Sequence, residues 1–183
     1  MENYSFLSQI AFESEQEQEE IRLRGLAKLE RGEMTPKSLK LGQEFKNKIT
    51  AAYIPHVSVQ KIDDEVGYGL FAEEELAPGC YAGEYTGIVR KNDRRYFEPL
   101  NNYCYEYPVP DPIGRSYVID ATSGNLTRFI NHSYNPNLQP IHVFFDGFYH
   151  LIFLTKVRIP KGTQLSYDYG TNYWYLRQPP KDF

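Results

Sequence analysis

The chain reads as a mainly β domain built from small sheets, with a helical N-terminal extension. Three observations predict this. Residues 1–50 are charge-dense and carry apolar residues at helical spacing. From residue 53 to residue 169 the apolar runs shorten to strand length, separated by Gly and Pro turn signals. Asp146-Gly147 lies between two such runs as a two-residue hairpin turn.

Each element follows from local sequence. Residues 13–33 place Glu17, Glu19 and Glu20 ahead of Arg22, Arg24 and Lys28, an order that suits a helix dipole. Ile21, Leu23, Leu26, Ala27 and Leu29 supply an imperfect apolar face. A second helix starts with Thr35 as N-cap and Pro36 at the first position. Leu41, Phe45 and Ile49, spaced by four, form its buried stripe. Residues 53–59 read as a strand. Gly67-Tyr68-Gly69 leads into Leu70-Phe71-Ala72, and Pro78-Gly79 marks a turn. Residues 80–89 read as one strand approached closely by other backbone. Residues 90–116 are polar and rich in Tyr and Pro, and read as an irregular insert. Residues 117–120 form a short strand, residues 141–145 and 148–157 the hairpin arms, and residues 164–167 a last strand after the Pro160-Lys161-Gly162 turn.

Composition bounds the function. The 183 residues suit one domain with an extension, and 41% apolar content supports a packed core. The formal net charge of −4 is not that of a basic nucleic-acid binder, so no direct nucleic-acid binding is expected. Cys80 and Cys104 are too few for a disulfide framework or a cysteine-based zinc cluster. His142 and His150 fall on opposite hairpin arms with no further ligand at metal spacing, so no metal site is expected. Residues 1–20 lack the basic region and apolar run of a secretory signal. No apolar run approaches the ~18 residues of a membrane span. An intracellular protein is expected.

Four motifs then stand in order: Gly67-Tyr68-Gly69, Gly83-Glu84-Tyr85-Thr86-Gly87, residues 128–137 with Asn131-His132-Ser133, and residues 165–170 with Tyr167-Asp168-Tyr169-Gly170. Together they resemble the SET-domain protein lysine methyltransferase family. The resemblance implies the β-clip SET fold, small sheets around a C-terminal pseudoknot in which the closing segment threads under an earlier loop. Such threading is otherwise very rare. It divides the chain into a helical extension (1–50), a SET domain (51–172) with a substrate-reading insert (90–116), and an aromatic flank (173–183).

The resemblance also implies S-adenosylmethionine as cofactor and a lysine-bearing protein as substrate, a histone tail by default. A histone enzyme would work in the nucleus on chromatin. Tyr169 is then the catalytic tyrosine, Tyr85 lines the lysine channel, and Tyr167 occupies the position that tunes product state. A tyrosine there resembles monomethylating members. Tyr68, Gly69, Asn131 and His132 would bind the cofactor, with His132 alternatively bracing the pseudoknot. Arg128 has two candidate partners, the cofactor carboxylate or a buried acid such as Asp168. A cysteine-rich zinc module follows the tyrosine motif in many members and is lacking here. Trp174, with Tyr173 or Tyr175, is therefore the candidate lid over the adenine, its alternative being a plug for the core. Glu98, Glu106 and Asp111 of the insert, with Tyr103, Tyr105 and Tyr107, would suit a basic peptide. A non-catalytic SET module that binds a partner is the competing class.

Overall fold

The computed structural model describes residues 6–92, 101–109, 113–114, 116–175 and 177. Strand β1 (Ala11–Phe12) precedes helices α1 (Glu15–Glu30) and α2 (Pro36–Thr50). Ser14 caps α1 by accepting from the Glu17 amide at 3.1 Å, and Thr35 caps α2 by accepting from Ser38 at 3.1 Å. Pro36 sits at the start of α2, where its missing N–H costs no hydrogen bond. Ten short strands follow: β2 (Val57–Asp63), β3 (Gly67–Ala72), β4 (Tyr81–Tyr85), β5 (Ile88–Lys91), β6 (Cys104–Tyr107), β7 (Tyr117–Asp120), β8 (Asn131–His132), β9 (Leu138–Phe145), β10 (Phe148–Thr155) and β11 (Ser166–Tyr167). A single helical turn, α3 (Thr171–Trp174), is the last element among the described residues. The strands form four small sheets, ordered β1-β5-β7-β6, β4-β10-β9, β11-β8 and β2-β3.

The helices pack on the β9–β10 hairpin through glycines. A Cβ at Gly42 would lie 2.1 Å from the Phe144 carbonyl oxygen, and one at Gly25 would lie 2.6 Å from that of Gly147. Ile49 is buried and Leu41 and Phe45 pack beside it, as the apolar stripe of α2 predicts. On α1 the face is narrower than expected. Ile21 is fully buried and Leu26 packs against the core, while Leu23 and Leu29 are exposed. The hairpin turn is the expected one, with Asp146 and Gly147 both at positive φ. Pro140 is tolerated because β9 is an edge strand.

Four expectations need correction. Residues 80–89 are two strands in two sheets, because Thr86 and Gly87 carry the chain between them. Thr86 Oγ1 donates to the Leu7 carbonyl, and a Cβ at Gly87 would lie 2.2 Å from the Asp120 carbonyl oxygen. Residues 90–116 are not wholly irregular, since β6 pairs along its length with β7. The N-terminal extension is not wholly helical, since β1 pairs in parallel with β5. The strand expected at residues 53–59 begins later, at Val57, and runs on to Asp63.

The closing segment lies against the Asn-His segment. β11 pairs in parallel with β8, Ser166 opposite Asn131 and Tyr167 opposite His132. Asn137 clasps the pair, its amide nitrogen donating to the Gln164 carbonyl at 2.7 Å and its amide oxygen accepting from the Ser166 N–H at 2.9 Å. This adjacency is what the expected threading requires.

Candidate active site

A cavity of about 800 Å³ opens between β3, the turn Leu126–Phe129, β8, β11 and α3. Eight of the sequence-derived residues line it: Tyr68, Tyr85, Arg128, Asn131, His132, Tyr167, Tyr169 and Trp174. Gly69 does not. It instead permits close approach, since a Cβ there would lie 2.8 Å from both the Gln164 and Ile62 side chains. Asn131 spans this point, its amide donating to the Tyr68 carbonyl at 3.0 Å.

Tyr85, Tyr167 and Tyr169 form one wall, with Tyr105 packed against it. The Tyr167 ring centre lies 4.7 Å from that of Tyr169, and Tyr105 lies 6.0 Å from Tyr85 and 6.2 Å from Tyr167. The Tyr85 hydroxyl donates to the Tyr103 carbonyl at 2.8 Å, and the Tyr169 hydroxyl donates to the Ile130 carbonyl at 2.8 Å. Each hydrogen is thus committed to the backbone, leaving oxygen lone pairs as acceptors. The Tyr167 hydroxyl makes no hydrogen bond among the described residues. Burial, reinforced by the neighbouring phenols, raises the pKa of all three, so they stay protonated at neutral pH.

Beside these tyrosines the lining residues include three with a buried donor that has no hydrogen-bond partner among the described residues: Arg128 Nε, His132 Nε2 and Trp174 Nε1. Arg128 donates through Nη1 to the Thr122 carbonyl, and its guanidinium lies 4.0 Å over the Tyr103 ring. Asp168 is not the buried acid expected beside Arg128. Its side chain is 59% exposed, accepts from the Gly170 amide at 2.9 Å and faces His132 Nδ1 at 3.6 Å. Burial lowers the His132 pKa and Asp168 partly restores it. Trp174 packs edge-on to His132 at 5.0 Å and parallel to Tyr169 at 6.1 Å. Tyr173 accompanies it on the cavity, whereas Tyr175 is 86% exposed.

Sequence reasoning missed Phe129 and Tyr134 on this cavity and placed Tyr103 only in the insert. Tyr134 follows the Asn-His-Ser motif directly and could have been inferred from that position. Of the insert's acids, Glu98 and Asp111 lie outside the described residues, as does most of the flank after residue 175. Glu106 is exposed, and its carbonyl, not its carboxylate, is engaged, by His142 Nε2 at 3.0 Å. Among the described residues no three His, Cys, Asp or Glu side chains group as metal ligands.

A family model of the SET domain matches residues 67–170. The chain belongs to the SET-domain family. Among curated proteins it is similar to human histone-lysine N-methyltransferase EHMT1, 31% identical over 118 residues that make up 62% of this chain and 9% of that protein. It is similar to human histone-lysine N-methyltransferase 2D at 33% identity over 136 residues, 71% of this chain and 2% of that protein. Histone-lysine N-methyltransferase EZH2 of Chaetomium thermophilum is 33% identical over 116 residues, 58% of this chain and 8% of that protein. Among solved structures, the crystal structure of the Chaetomium thermophilum polycomb repressive complex 2 superposes with a TM-score of 0.57 at 28% identity, covering 70% of this chain and 17% of that one. The chain spans less than a tenth of the length of each of these curated relatives.

Proposed function

We propose that the protein is a protein-lysine N-methyltransferase that uses S-adenosylmethionine and acts on a lysine side chain, on histones in the first instance. One observation carries this reading. Tyrosines whose hydroxyls are committed to the backbone and residues with unpartnered buried donors line one cavity of a SET domain. The histone-lysine methyltransferase names of the relatives support the substrate class, and with it a nuclear site of action. Among the described residues no helix is long and apolar enough to cross a membrane.

The residues fit the cofactor. Buried unpaired donors are costly unless a ligand satisfies them. Arg128, with a fixed positive charge, suits a carboxylate. His132 Nε2 and Trp174 Nε1 offer further N–H groups, and the Trp174 ring offers an apolar face. When bound, S-adenosylmethionine supplies an already activated methyl group on a positively charged sulfonium.

The tyrosine wall handles the lysine. A free lysine has a pKa of ~10.4 and arrives charged. The low-dielectric channel between Tyr85, Tyr167 and Tyr169 disfavours that charge and promotes loss of the proton to solvent. Tyr85, whose own hydrogen is held by Tyr103, accepts an N–H of the neutral amine and turns its lone pair inward. Tyr169 does the same at the point of transfer. None of the three acts as a general base, because each is held protonated. Tyr167, with an uncommitted hydroxyl, narrows the channel and can hold a water where a second methyl would go, which favours a monomethyl product.

The test is methyl transfer from labelled S-adenosylmethionine to core histones and nucleosomes, with mass spectrometry of the product. Labelling of a lysine by the wild type and not by Tyr169→Phe is expected. Cofactor binding without labelling would move the substrate to non-histone proteins. Neither binding nor labelling would favour a SET module that only binds a partner.

A further inference from the structure

We propose that Lys28 of α1 is a positioning residue for the substrate channel, acting through β6. The inference rests on the methyltransferase reading for its kinetic consequence, and on geometry alone for its structural one.

Tyr105 stands in the middle of β6 and packs against the tyrosine wall, its ring 6.0 Å from Tyr85 and 6.2 Å from Tyr167. Its strand is poorly secured by its own sheet. It is four residues long and lies at the end of the order β1-β5-β7-β6, with β7 as its single ladder partner. Beside the packing of the Tyr105 ring on Tyr85, His142 and Tyr167, three hydrogen bonds from outside that sheet reach β6 and the residue after it among the described residues. Tyr107, fully buried, accepts from the Tyr149 amide at 3.1 Å. The Glu106 carbonyl accepts from His142 Nε2 at 3.0 Å. Pro108, the next residue after β6, accepts from Lys28 Nζ at 3.1 Å. The first two come from the β9–β10 hairpin; the third reaches in from the N-terminal extension.

Lys28 is built for this position. It is half-buried, and its ammonium lies 5.8 Å over the Tyr149 ring, against the same residue whose amide secures Tyr107. A hydrogen bond from a charged donor is stronger than one between neutral groups. The cation over the ring adds to it. The same helix also secures the start of the insert, where Glu17 Oε1 pairs with Lys91 Nζ at 2.8 Å. Helix α1 therefore holds the chain at two points, the end of β5 and the residue just after β6. The extension outside the matched SET region thereby sets where Tyr105 stands relative to Tyr85 and Tyr167.

The experiment compares the full chain with Lys28→Met and Lys28→Arg. Methionine keeps helix propensity and an unbranched apolar stem while removing the donor. Amide hydrogen exchange is followed at Cys104–Tyr107 and along α1. Steady-state kinetics use core histones as substrate, and S-adenosylmethionine binding is read from the fluorescence of Trp174, the single tryptophan. Lys28→Met is expected to speed exchange in β6 while α1 stays protected. It should raise the KM for histones by about three- to tenfold with little change in kcat or donor affinity. Lys28→Arg should restore most of both. Unchanged exchange at Cys104–Tyr107 with unchanged KM would overturn the proposal. Loss of α1 protection together with donor binding would also overturn it, leaving Lys28 a merely structural residue. If the wild type transfers no methyl group at all, the methyltransferase reading fails separately. The exchange comparison still decides whether Lys28 holds β6.

Discussion

The main-chain amide of Tyr169 donates to Nδ1 of His132 across 3.1 Å. This one bond fixes the imidazole tautomer, with Nδ1 as acceptor and the hydrogen on Nε2. The parallel pairing of Tyr167 with His132 brings the two segments into register for it. His132 therefore braces the backbone that carries Tyr169 while directing a free N–H into the cavity wall.

Tyr169→Phe keeps the ring and removes the oxygen. The ring packs on Tyr167, Tyr173 and Trp174, so the cavity should hold its shape. Turnover should fall about 100-fold or more, the scale seen when a preorganised polar group is removed from a reacting centre. The Ile130 carbonyl loses its partner, which costs about 1–2 kcal/mol of stability. Single-turnover methyl transfer and urea denaturation measure the two effects. Near wild-type turnover would remove Tyr169 from the mechanism.

Tyr167→Phe should change the product instead of the rate. Its hydroxyl has no protein partner among the described residues, so removing it leaves no unsatisfied group behind and frees space for a second methyl. Mass spectrometry of histones after prolonged reaction should show di- and trimethyl-lysine from the variant and monomethyl-lysine from the wild type. Identical product distributions would show that another residue sets the limit.

How far the sequence carries can be judged from particular residues. The Asn-His and Tyr-Asp-Tyr motifs announce their own meeting, because each is a short, chemically distinctive run and β8 and β11 bring them side by side. The Asp146-Gly147 turn is legible because both residues tolerate positive φ. Other features have no local signature. β1 is two residues long and exists through a partner far along the chain, pairing with Ile88 and Val89, while Leu7 just before it is bonded to Ser123 and Thr86. β6 alternates Tyr and Glu between proline-rich neighbours, so its ladder with β7 is hidden in a run that reads as loop. Arg128 is held by a main-chain carbonyl of Thr122 and by an aromatic face, neither of which a charge pattern reveals. The expectation that it might pair with Asp168 failed because Asp168 points outward.

Stability should fall at mildly acidic pH through His142. Burial pulls its pKa down to about 4, from an ordinary value of 6.5, with the hydrogen bond to the Glu106 carbonyl opposing the shift. The unfolded chain binds a proton between these values and the folded chain does not. Stability is thus fully present above about pH 6.5 and is lost as pH falls towards 4, on the order of 3 kcal/mol over that window. His142→Gln removes the titration and should flatten this part of the profile. Urea denaturation at steps from pH 7 to pH 4 measures it. A wild-type slope retained in the variant would assign the effect to other groups, His132 among them, whose pKa is also lowered.

Gly42→Ala should destabilise the protein, against the ordinary rule for helices. In an exposed helix interior, alanine in place of glycine stabilises by about 1 kcal/mol. Here α2 crosses β9 so closely that the new methyl would lie 2.1 Å from the Phe144 carbonyl oxygen and 2.8 Å from its carbon. Both are backbone atoms in a paired strand, so neither can rotate away. Relief requires the helix to lift off the hairpin, which would open the packing around Ile49, Val143 and Ile152. Overpacking of this kind costs about 1–3 kcal/mol, enough to reverse the propensity gain. Gly32→Ala provides the contrast. Nothing lies within 4 Å of a Cβ there, but φ is +67°, so its cost comes from backbone strain alone. Denaturant midpoints for the two variants, with exchange protection along α2, separate the causes: Gly42→Ala should loosen α2 against β9, whereas Gly32→Ala should lower the midpoint and leave that interface protected. An unaltered midpoint for Gly42→Ala would mean that α2 does not sit on the hairpin as described.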